Sequence, residues 1–528
     1  MDFSSLTLAP GWQAHLGADL TAAHRRPSLG DLGSVAETSL LELGDRRFLR
    51  EPSGNWLSGR QFLDRSRAGA SALLAAGVRP GDRVVLVGQN SADFAAVAVG
   101  VFLAGAVLVA ANPAYTDREL AHVVKDSRPA AMVCDAELLE RAEAIAAAAS
   151  GALPIEGPGS DLPLPQGAIQ ILSIRQAVAH EGEWTAGSLA AGRSWPAMVA
   201  YTSGTTGAPK GALLTHGNLL ASARSVAIAW RWDPEDRLLL SLPLFHMHGL
   251  GVGLIGSLLM GSSIVLFSRF DPAPLAAAVA GEGATMFFGV PAMYRRLVSE
   301  PACADFARLR LLVSGSAPLP PDLFDQIRSL VGAAPLERYG MSETAMNVSN
   351  PYEGPRKAGT VGLPLPGVEV ALDSKGEILV RGENVFSGYL GNPGATAERF
   401  DDGWFRTGDL GSFDSDGYLR IEGRSSDLII SGGFNVYPRE VEEQLRSHSA
   451  VADAAVVGVP SQRWGEEVVA FVVPTAGAEV DADSLRTHAA ERLAPYKVPK
   501  RIIPIDALPR NAMGKVLAFE LRRQAGGA

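Results

Sequence analysis

The first 420 or so residues alternate short apolar segments with helical stretches, and this alternation restricts the fold more than any other feature of the chain. Strand-like segments occur at residues 83–87, 131–134, 238–242, 263–266 and 309–313. Helix-like stretches occur at residues 120–124, 274–281 and 321–331. Strands that alternate with helices predict an α/β architecture with largely parallel sheets.

The pattern changes near residue 370, where short strands at 368–372, 377–381 and 418–422 are separated by Gly and Asp turns. They predict a β-rich subdomain. About 100 residues follow position 427, which is enough for a separate domain. This part of the chain combines helix patterns at 438–446 and 482–493 with strand patterns at 454–459, 467–473 and 501–505. It is predicted to be an α+β domain.

The charge balance excludes some classes of partner. The 528 residues include 47 basic and 57 acidic side chains, with a formal net charge of −10 and no long run of one sign. This argues against a nucleic-acid-binding surface or an anionic membrane surface. Cys134 and Cys303 match no metal or redox spacing, and no secretory or mitochondrial targeting pattern is present, so a cytoplasmic location is predicted.

Residues 94–111 contain no charge and resemble a membrane span in length. However, Gly100 and Gly105 divide this segment, and a strand pattern at 84–87 precedes it. Strand, helix and second strand (106–110) together describe a βαβ unit whose helix is buried in the protein. We therefore predict no stable membrane insertion.

The stretch from Tyr201 to Gly211 is rich in groups that contact phosphate. Its hydroxyl groups belong to Thr202, Ser203, Thr205 and Thr206, its internal glycines are Gly204 and Gly207, and its cation is Lys210. Hydroxyl groups donate to phosphate oxygens, and glycines allow main-chain N–H groups to approach closely. The spacing is not that of a Walker loop. The alternative is a polar surface loop, since the same residue types dominate such loops.

Further motifs follow in a fixed order at residues 244–249, 314–318, 339–343, 407–409, 423–424, 431–433 and 509–515. Together with the phosphate loop they resemble the adenylate-forming superfamily of acyl-CoA synthetases, luciferases and peptide-synthetase adenylation domains. The resemblance implies a large N-terminal domain at residues 1–423, a hinge at 424–427 and a small mobile C-terminal domain at 428–528. It also implies that an acid and ATP form an acyl adenylate and pyrophosphate, and that coenzyme A then displaces AMP.

The resemblance assigns roles to individual positions. It implies ATP contacts at Thr202, Ser203, Gly204, Thr205, Thr206, Gly207, Lys210, Ser316, Ala317, Glu337, Arg338, Tyr339, Gly340, Met341, Ser342, Asp409, Arg424 and Lys515. Lys515, Glu343 and Thr206 are the implied catalytic residues, and Glu343 and Thr206 the implied Mg²⁺ ligands. Tyr339 would stack on adenine and Asp409 would accept the ribose hydroxyls. Ser431, Gly432 and Gly433 are the implied coenzyme A loop.

Arginines suggest which acid is used. Arg338 directly precedes Tyr339, and Arg269 ends an apolar strand. Two guanidinium groups can hold a distal carboxylate. The stretches 289–294, 337–341 and 346–349 resemble malonyl-CoA synthetases. We therefore expect malonate, or methylmalonate, in a pocket of His246, Arg269, Ser314, Arg338 and Met341. The alternatives are local pairing of the arginines with Glu337 and Asp271, and a fatty or aromatic monocarboxylic acid.

Other functions have weaker support in the sequence. Residues 251–256 match the Gly-x-Gly-x-x-Gly fingerprint of an NAD-dependent dehydrogenase, but their apolar context favours a packed helix near the acyl pocket. In an extended segment, His246 and His248 would face one side, yet no third metal ligand follows at a suitable spacing. A module that loads a carrier protein is disfavoured by the absence of a carrier-like extension. Ser426 stands where the superfamily usually has Lys or Asp at the hinge.

Overall fold

The computed structural model describes residues 12, 15, 30–149, 157–160, 162–163, 167–182, 184, 192–202, 209–510 and 515–526. Its first strands are β1 (Arg47–Arg50), β2 (Trp56–Ser58), β3 (Arg83–Val87), β4 (Val107–Ala111), β5 (Ala131–Cys134), β6 (Gln170–Ser173), β7 (Pro196–Thr202), β8 (Lys210–Thr215), β9 (Arg237–Leu240), β10 (Ser263–Leu266), β11 (Met286–Gly289), β12 (Leu311–Ser314), β13 (Leu336–Tyr339), β14 (Val348–Ser349) and β15 (Leu363–Pro364). The later strands are β16 (Val368–Leu372), β17 (Glu377–Gly382), β18 (Gly388–Tyr389), β19 (Phe400–Asp401), β20 (Trp404–Phe413), β21 (Leu419–Arg424), β22 (Ile429–Ser431), β23 (Phe434–Val436), β24 (Val451–Ser461), β25 (Gly465–Pro474) and β26 (Arg501–Pro504).

The helices fall between these strands along most of the chain. They are α1 (Leu32–Leu43), α2 (Gly59–Ala75), α3 (Ala92–Leu103), α4 (Asp117–Ser127), α5 (Leu139–Ala148), α6 (Ile174–Val178), α7 (His216–Ala229), α8 (Ile255–Met260), α9 (Pro272–Gly281), α10 (Pro291–Leu297), α11 (Pro321–Val331), α12 (Pro393–Ala397), α13 (Pro438–Arg446), α14 (Ala482–Ala490) and α15 (Ala518–Gly526). Short 3₁₀ segments occur at Ala136–Leu138 and Pro301–Arg308, and a π-helix at His248–Leu254.

Two large sheets build the N-terminal domain, as the alternating pattern predicts. One has the order β18-β8-β7-β4-β3-β5-β6 and the other the order β15-β14-β13-β12-β11-β9-β10-β1-β2. Their central strands are parallel, with antiparallel strands at one edge of the first sheet and at both edges of the second. Val84 and Leu86 pack into the largest core while Val85 and Val87 pack into another, because alternate side chains of a strand point to opposite faces. The central strands are therefore buried on both faces, as parallel sheets require.

The uncharged segment at 94–111 forms a βαβ unit, as expected. Helix α3 is buried along its length and packs against α2, where a Cβ at Gly100 would lie 2.8 Å from the carbonyl oxygen of Ser66. Glycine is needed at that position for the two helices to approach so closely. Among the described residues, no helix is long and apolar enough to cross a membrane.

The β-rich subdomain and the α+β domain also occur where the sequence places them. Strands β16, β17, β19, β20 and β21 form one antiparallel sheet. In the C-terminal domain, β22 to β26 form a second sheet, and α13, α14 and α15 pack against it. Several boundaries differ from the prediction by a few residues; for example, β12 starts at residue 311 rather than 309 and α14 ends at residue 490 rather than 493.

The dinucleotide-like glycines are helical. They lie in the buried π-helix and α8, and the three glycines face Met247, Leu240 and Trp232. A fingerprint loop directly after a strand is therefore not formed, and the interpretation as a packed helix is confirmed. The expectation of an extended segment at His246 is wrong, because a turn leads from residue 244 into the π-helix.

Candidate active site

A cavity of about 1780 Å³ lies between the N-terminal and C-terminal domains. It collects predicted site residues that are more than 300 positions apart in the chain. Those that line it are Thr202, Lys210, His246, Ser316, Ala317, Glu337, Arg338, Tyr339, Gly340, Met341, Ser342, Glu343, Asp409, Arg424 and Lys515. Ser203, Gly204, Thr205, Thr206 and Gly207 lie outside the described residues, so the cavity is defined without them.

The sheet topology explains why two of the motifs meet. Strands β12 and β13 are parallel neighbours, with Ser314 beside Glu337. The segments that follow them therefore leave the same edge of the sheet, which is the usual ligand-binding edge of an open α/β sheet. Gly340 follows β13 directly, and a Cβ there would lie 2.0 Å from the carbonyl oxygen of Ala345. Only glycine permits this close approach of the two main-chain segments.

Asp409 and Tyr339 form a connected pair at the cavity wall. The Tyr339 hydroxyl donates to Asp409 Oδ2 at 2.5 Å, and Arg424 Nε forms an ion pair with Asp409 Oδ1 at 3.0 Å. Burial and the neighbouring Asp409 raise the pKa of Tyr339 well above its ordinary value. The carboxylate is thus held in place while each oxygen retains a lone pair for a ligand.

Glu343 is buried beside Tyr389. The Tyr389 hydroxyl donates to Glu343 Oε1 at 2.9 Å, and Lys210 Nζ lies 5.4 Å from the centre of the Tyr389 ring. Burial raises the pKa of Glu343, an effect that this hydrogen bond partly offsets. In the described part of the chain no three metal-ligating side chains cluster. A single carboxylate still fits Mg²⁺, which is commonly held by one or two carboxylates together with substrate phosphates.

Lys515 enters the cavity from the C-terminal domain. Burial and the positive charge of Arg424 lower its pKa, while Asp409, Asp427 and Glu343 act in the opposite direction. The structure therefore brings the lysine and the Asp409 and Glu343 carboxylates to one place. Residues 511–514 lie outside the described part, but residue 515 itself is described.

Arg338 is a buried guanidinium without a carboxylate partner among the described residues. Only 4% of its surface is exposed, its Nη2 lies 3.5 Å from Ser316 Oγ, and its Nε has no hydrogen-bond partner. Burial lowers the pKa of Arg338 to about 9. A Cβ on Gly315 would lie 2.4 Å from Arg338 Nε, so this glycine makes room for the side chain. Pairing of Arg338 with Glu337 is not observed.

Two histidines line the cavity together with Arg338. Burial lowers the pKa of His246 to about 4. Burial, and then the charge of Arg338, lower the pKa of His248 well below its ordinary value. His248 also stacks on Phe288, and its Nδ1 lies 3.4 Å from Ser316 Oγ. Both rings are consequently neutral near pH 7 and extend the pocket without adding charge.

Arg269 is not at this site. Its side chain is exposed, and it is absent from the cavity lining, because the apolar strand β10 ends at Leu266 and the chain then turns outward. The pocket with two arginines at positions 269 and 338 is therefore corrected to one with Arg338. Ser314 does not line the cavity either, since it is fully buried, and its Oγ has no partner in the described part of the chain.

The predicted coenzyme A loop lies outside the cavity. Ser431 is buried, while Gly432 and Gly433 have φ angles of 61° and 83° and turn the chain from β22 into β23. The Gly432 N–H donates to the Trp464 carbonyl at 2.7 Å. The Trp464 ring lies near two cations, with Lys500 Nζ 5.4 Å from its centre.

Glu337 is fully buried, and its two oxygens differ. Oε1 accepts from the Leu319 N–H at 2.9 Å, whereas Oε2 has no partner among the residues that the structure describes. Burial raises the pKa of Glu337 to about 7, with Glu443 adding to the rise and Arg439 and Arg420 opposing it. An unpartnered acceptor in the cavity wall is suited to a hydrogen bond from a ligand. Leaving such a buried acceptor without a hydrogen bond costs free energy.

The raised pKa of Glu337 predicts a pH dependence of stability. The folded protein holds this proton up to about pH 7, while the unfolded chain releases it near 4.5, so folding loses stability as the pH rises between those values. Glu337→Gln removes this pH-dependent loss of stability, because glutamine does not titrate. We expect its unfolding free energy relative to the unsubstituted protein to increase by at most about 3 kcal/mol from pH 5 to pH 8. Denaturant titrations at several pH values measure the unfolding free energy. Substitution of an exposed residue, Glu300→Gln, is the control. A difference in unfolding free energy between Glu337→Gln and the unsubstituted protein that does not change with pH contradicts the prediction.

Sequence reasoning missed several residues at the cavity. Tyr389 and Arg439 line it; Tyr389 contacts Glu343, which the motifs do identify, and the charge of Arg439 lowers the pKa of Glu337. Tyr389 reaches Glu343 because the short strand β18 pairs with β8 across more than 170 positions. No local pattern around Tyr389 or Arg439 indicates such a contact.

The fold and the site together define a class of protein. A parallel-sheet domain and a small α+β domain place a lysine, two carboxylates and a buried arginine around one large cavity, as in enzymes that activate a carboxylic acid with a nucleotide. Residues 37–390 match the AMP-binding enzyme family, and residues 440–515 match the AMP-binding enzyme C-terminal domain.

Known proteins agree with this class. A feruloyl-CoA synthase of Amycolatopsis is 39% identical, over 87% of this chain and 91% of its own. A malonate–CoA ligase of Arabidopsis thaliana is 34% identical, over 84% and 78%. The crystal structure of ATP-bound MatB from Rhodopseudomonas palustris superimposes with a TM-score of 0.85 at 35% identity, covering 94% and 99%. The chain belongs to the AMP-binding enzyme family and is an AMP-forming acid–CoA ligase.

Proposed function

We propose that this ligase activates a short dicarboxylic acid, malonate first and methylmalonate second. The observation that carries the proposal is the buried guanidinium of Arg338 in the cavity wall, which has no carboxylate partner among the described residues. A buried charge is stable only when it is paired or hydrogen-bonded. A second carboxylate on the substrate supplies that pair, and arginine binds a carboxylate with two parallel hydrogen bonds.

The relatives are consistent with this choice. Beside the Arabidopsis malonate–CoA ligase, a mouse mitochondrial malonate–CoA ligase and an Arabidopsis oxalate–CoA ligase are each 34% identical to the chain. Their names all specify a dicarboxylic acid. The neutral His246 and His248 rings add no positive charge to that of Arg338.

An aromatic monocarboxylic acid is the second candidate. The feruloyl-CoA synthase has the higher identity, and the cavity also has an apolar wall that includes Met247, Met341, Met346 and Val361. Such a wall favours an apolar ring. In that case Arg338 would contact no carboxylate of the acyl tail, and its removal would have little effect on the choice of acid.

Adenylation joins a carboxylate oxygen to the α-phosphorus of ATP while pyrophosphate leaves. Two anions meet in this step, so its main requirements are positioning and neutralisation of charge. Lys515 would contact both the attacking carboxylate and the α-phosphate. Asp409 would accept the ribose hydroxyls, and the unpartnered Glu337 Oε2 would accept from the adenine amino group. Mg²⁺ would be held by Glu343 and Thr206, and it supplies positive charge to the phosphate oxygens.

Thioester formation needs a different arrangement of the domains. The coenzyme A thiolate attacks the adenylate carbonyl carbon and AMP leaves. We propose domain boundaries at 1–423 and 428–528, with rotation at the exposed Ser426 in the hinge. Rotation would withdraw Lys515 and bring Ser431, Gly432, Gly433 and the neighbouring Trp464 to the cavity.

The two reduced, buried cysteines support a cytoplasmic location.

A panel of acids tests the proposal. Pyrophosphate release is measured with ATP, Mg²⁺ and coenzyme A, and with malonate, methylmalonate, succinate, acetate, octanoate, benzoate or ferulate. We expect malonate to give the highest kcat/KM. A tenfold advantage for octanoate, benzoate or ferulate would reject the dicarboxylate and leave the ligase class unchanged.

A further inference from the structure

Arg439 reaches from the C-terminal domain to the N-terminal domain. It stands in the first turn of α13, and its Nη1 donates to the carbonyl oxygen of Ile421 in β21. Its Nε donates to Glu443 Oε1 at 2.8 Å on its own helix. The side chain is 12% exposed. The guanidinium is thus enclosed at the boundary that a rotation of the small domain must open.

Glu337 lies across the same boundary. Arg439 is the nearby cation that lowers the pKa of this buried carboxyl most, and both side chains line the cavity. Within the described ranges, the Oε2 atom of Glu337 has no hydrogen-bond partner. Because attraction between opposite charges is stronger where water is excluded, Arg439 favours the charged form of Glu337, whereas Glu443 of the same helix and burial oppose it.

Strand β21 connects this contact to the reaction centre. Ile421 lies three residues before Arg424, which pairs with Asp409 at 3.0 Å. Lys515 belongs to the same small domain as Arg439 and enters the cavity in this orientation. The contact between Arg439 and Ile421 and the entry of Lys515 into the cavity therefore form together, and they are lost together when the domain rotates.

We propose that Arg439 is a positioning residue that holds the small domain in the orientation in which Lys515 enters the cavity, with the Ile421 carbonyl as its partner in the N-terminal domain. It acts on adenylation and has no part in the thioester step, for which its contacts must break. The inference rests on the proposed two-step reaction and on rotation at the hinge.

Arg446 provides a matched control. It lies seven residues further along α13, lines the same cavity and contacts its own domain, with Nη1 donating to the Ala454 carbonyl at 3.0 Å. Asp453 and Glu442 of that domain lie within 4 Å of it. Arg446→Ala removes a charge and packing from the same helix without touching the N-terminal domain.

The test separates the two half-reactions in the full-length protein. Malonate, ATP and pyrophosphatase are first incubated without coenzyme A to follow adenylate formation. Coenzyme A is then added, and the decay of the accumulated adenylate is timed. For Arg439→Ala we expect adenylation to slow by about 10-fold to 100-fold, the scale of a lost hydrogen bond to a charged group. The thioester step should be unchanged or faster.

The remaining variants show whether the effect is specific. Arg439→Lys keeps the charge and one donor, and is expected to recover most of the adenylation rate. Arg446→Ala is expected to keep the ratio of the two rates. An equal loss in both steps for Arg439→Ala, or no loss in either, would overturn the role of Arg439. Unsubstituted protein that forms no adenylate with any acid of the panel would instead overturn the proposed function, and this inference with it.

Discussion

Arg338→Ala is expected to remove about 2–5 kcal/mol of malonate recognition, which is the range for truncating one partner of a buried charge pair. In kcat/KM this corresponds to a loss of about 30-fold to about 5,000-fold. The reason is that the buried guanidinium has Ser316 within 3.5 Å and no described carboxylate to pair with, so it is available to the second carboxylate of the substrate. Pyrophosphate release with malonate and with octanoate measures the change in selectivity.

The exposed arginine that the sequence also suggested is the matched control. Arg269→Ala deletes the same side chain outside the cavity and is expected to leave kcat/KM for malonate within about twofold, as is usual for surface substitutions. Arg338→Lys keeps a charge but loses the paired donors and is expected to fall between the two. If Arg338→Ala retains the malonate activity of the unsubstituted protein, the dicarboxylate pocket is wrong.

Lys515→Ala is expected to lower the rate of adenylation by about 100-fold to 1,000-fold, the range for removing one group that stabilises charge in a transition state. The lysine lies near Asp409, Arg424 and Glu343 inside the cavity, where the carboxylate and the α-phosphate would meet. Exchange of labelled pyrophosphate into ATP measures this half-reaction directly.

A second lysine of the same domain controls for the loss of charge. Lys497 pairs with Glu440 on the surface, and Lys497→Ala is expected to leave the exchange rate nearly unchanged. In Lys515→Ala, turnover of an adenylate already formed should persist, because that step requires the lysine to be withdrawn. An exchange rate in Lys515→Ala equal to that of the unsubstituted protein would remove this residue from the proposed chemistry.

The predictions from sequence succeeded where the signal is local. The helices at Pro321–Val331 and Pro438–Arg446 have the predicted bounds, since apolar spacing and a proline in the first turn define each of them. The glycines at 251, 253 and 256 were recognised as part of a packed helix, because the residues around them are apolar.

The predictions from sequence failed where they depended on the direction in which a chain segment leaves a strand, or on contacts between segments that are far apart in the sequence. Arg269 and Arg338 both follow apolar strand residues, and nothing in their local sequence shows that one chain segment turns outward while the other enters the cavity. The contacts of Tyr389 with Glu343 and of Arg439 with Ile421 join segments that are separate in the chain. Such contacts depend on sheet order and on how the domains are docked.

The sequence by itself determined the α/β class, the order of the elements and the motifs that name a carboxylate-activating ligase, because these depend on hydrophobic period and on local chemistry. Only the tertiary structure decided that Arg338 lacks a carboxylate partner in the described part of the chain, that Arg269 lies outside the cavity and that Arg439 spans the two domains. Burial and pairing are properties of the assembled surroundings of a side chain. The charge of a residue can be read from its name, but whether that charge has a partner depends on which distant segments pack against it.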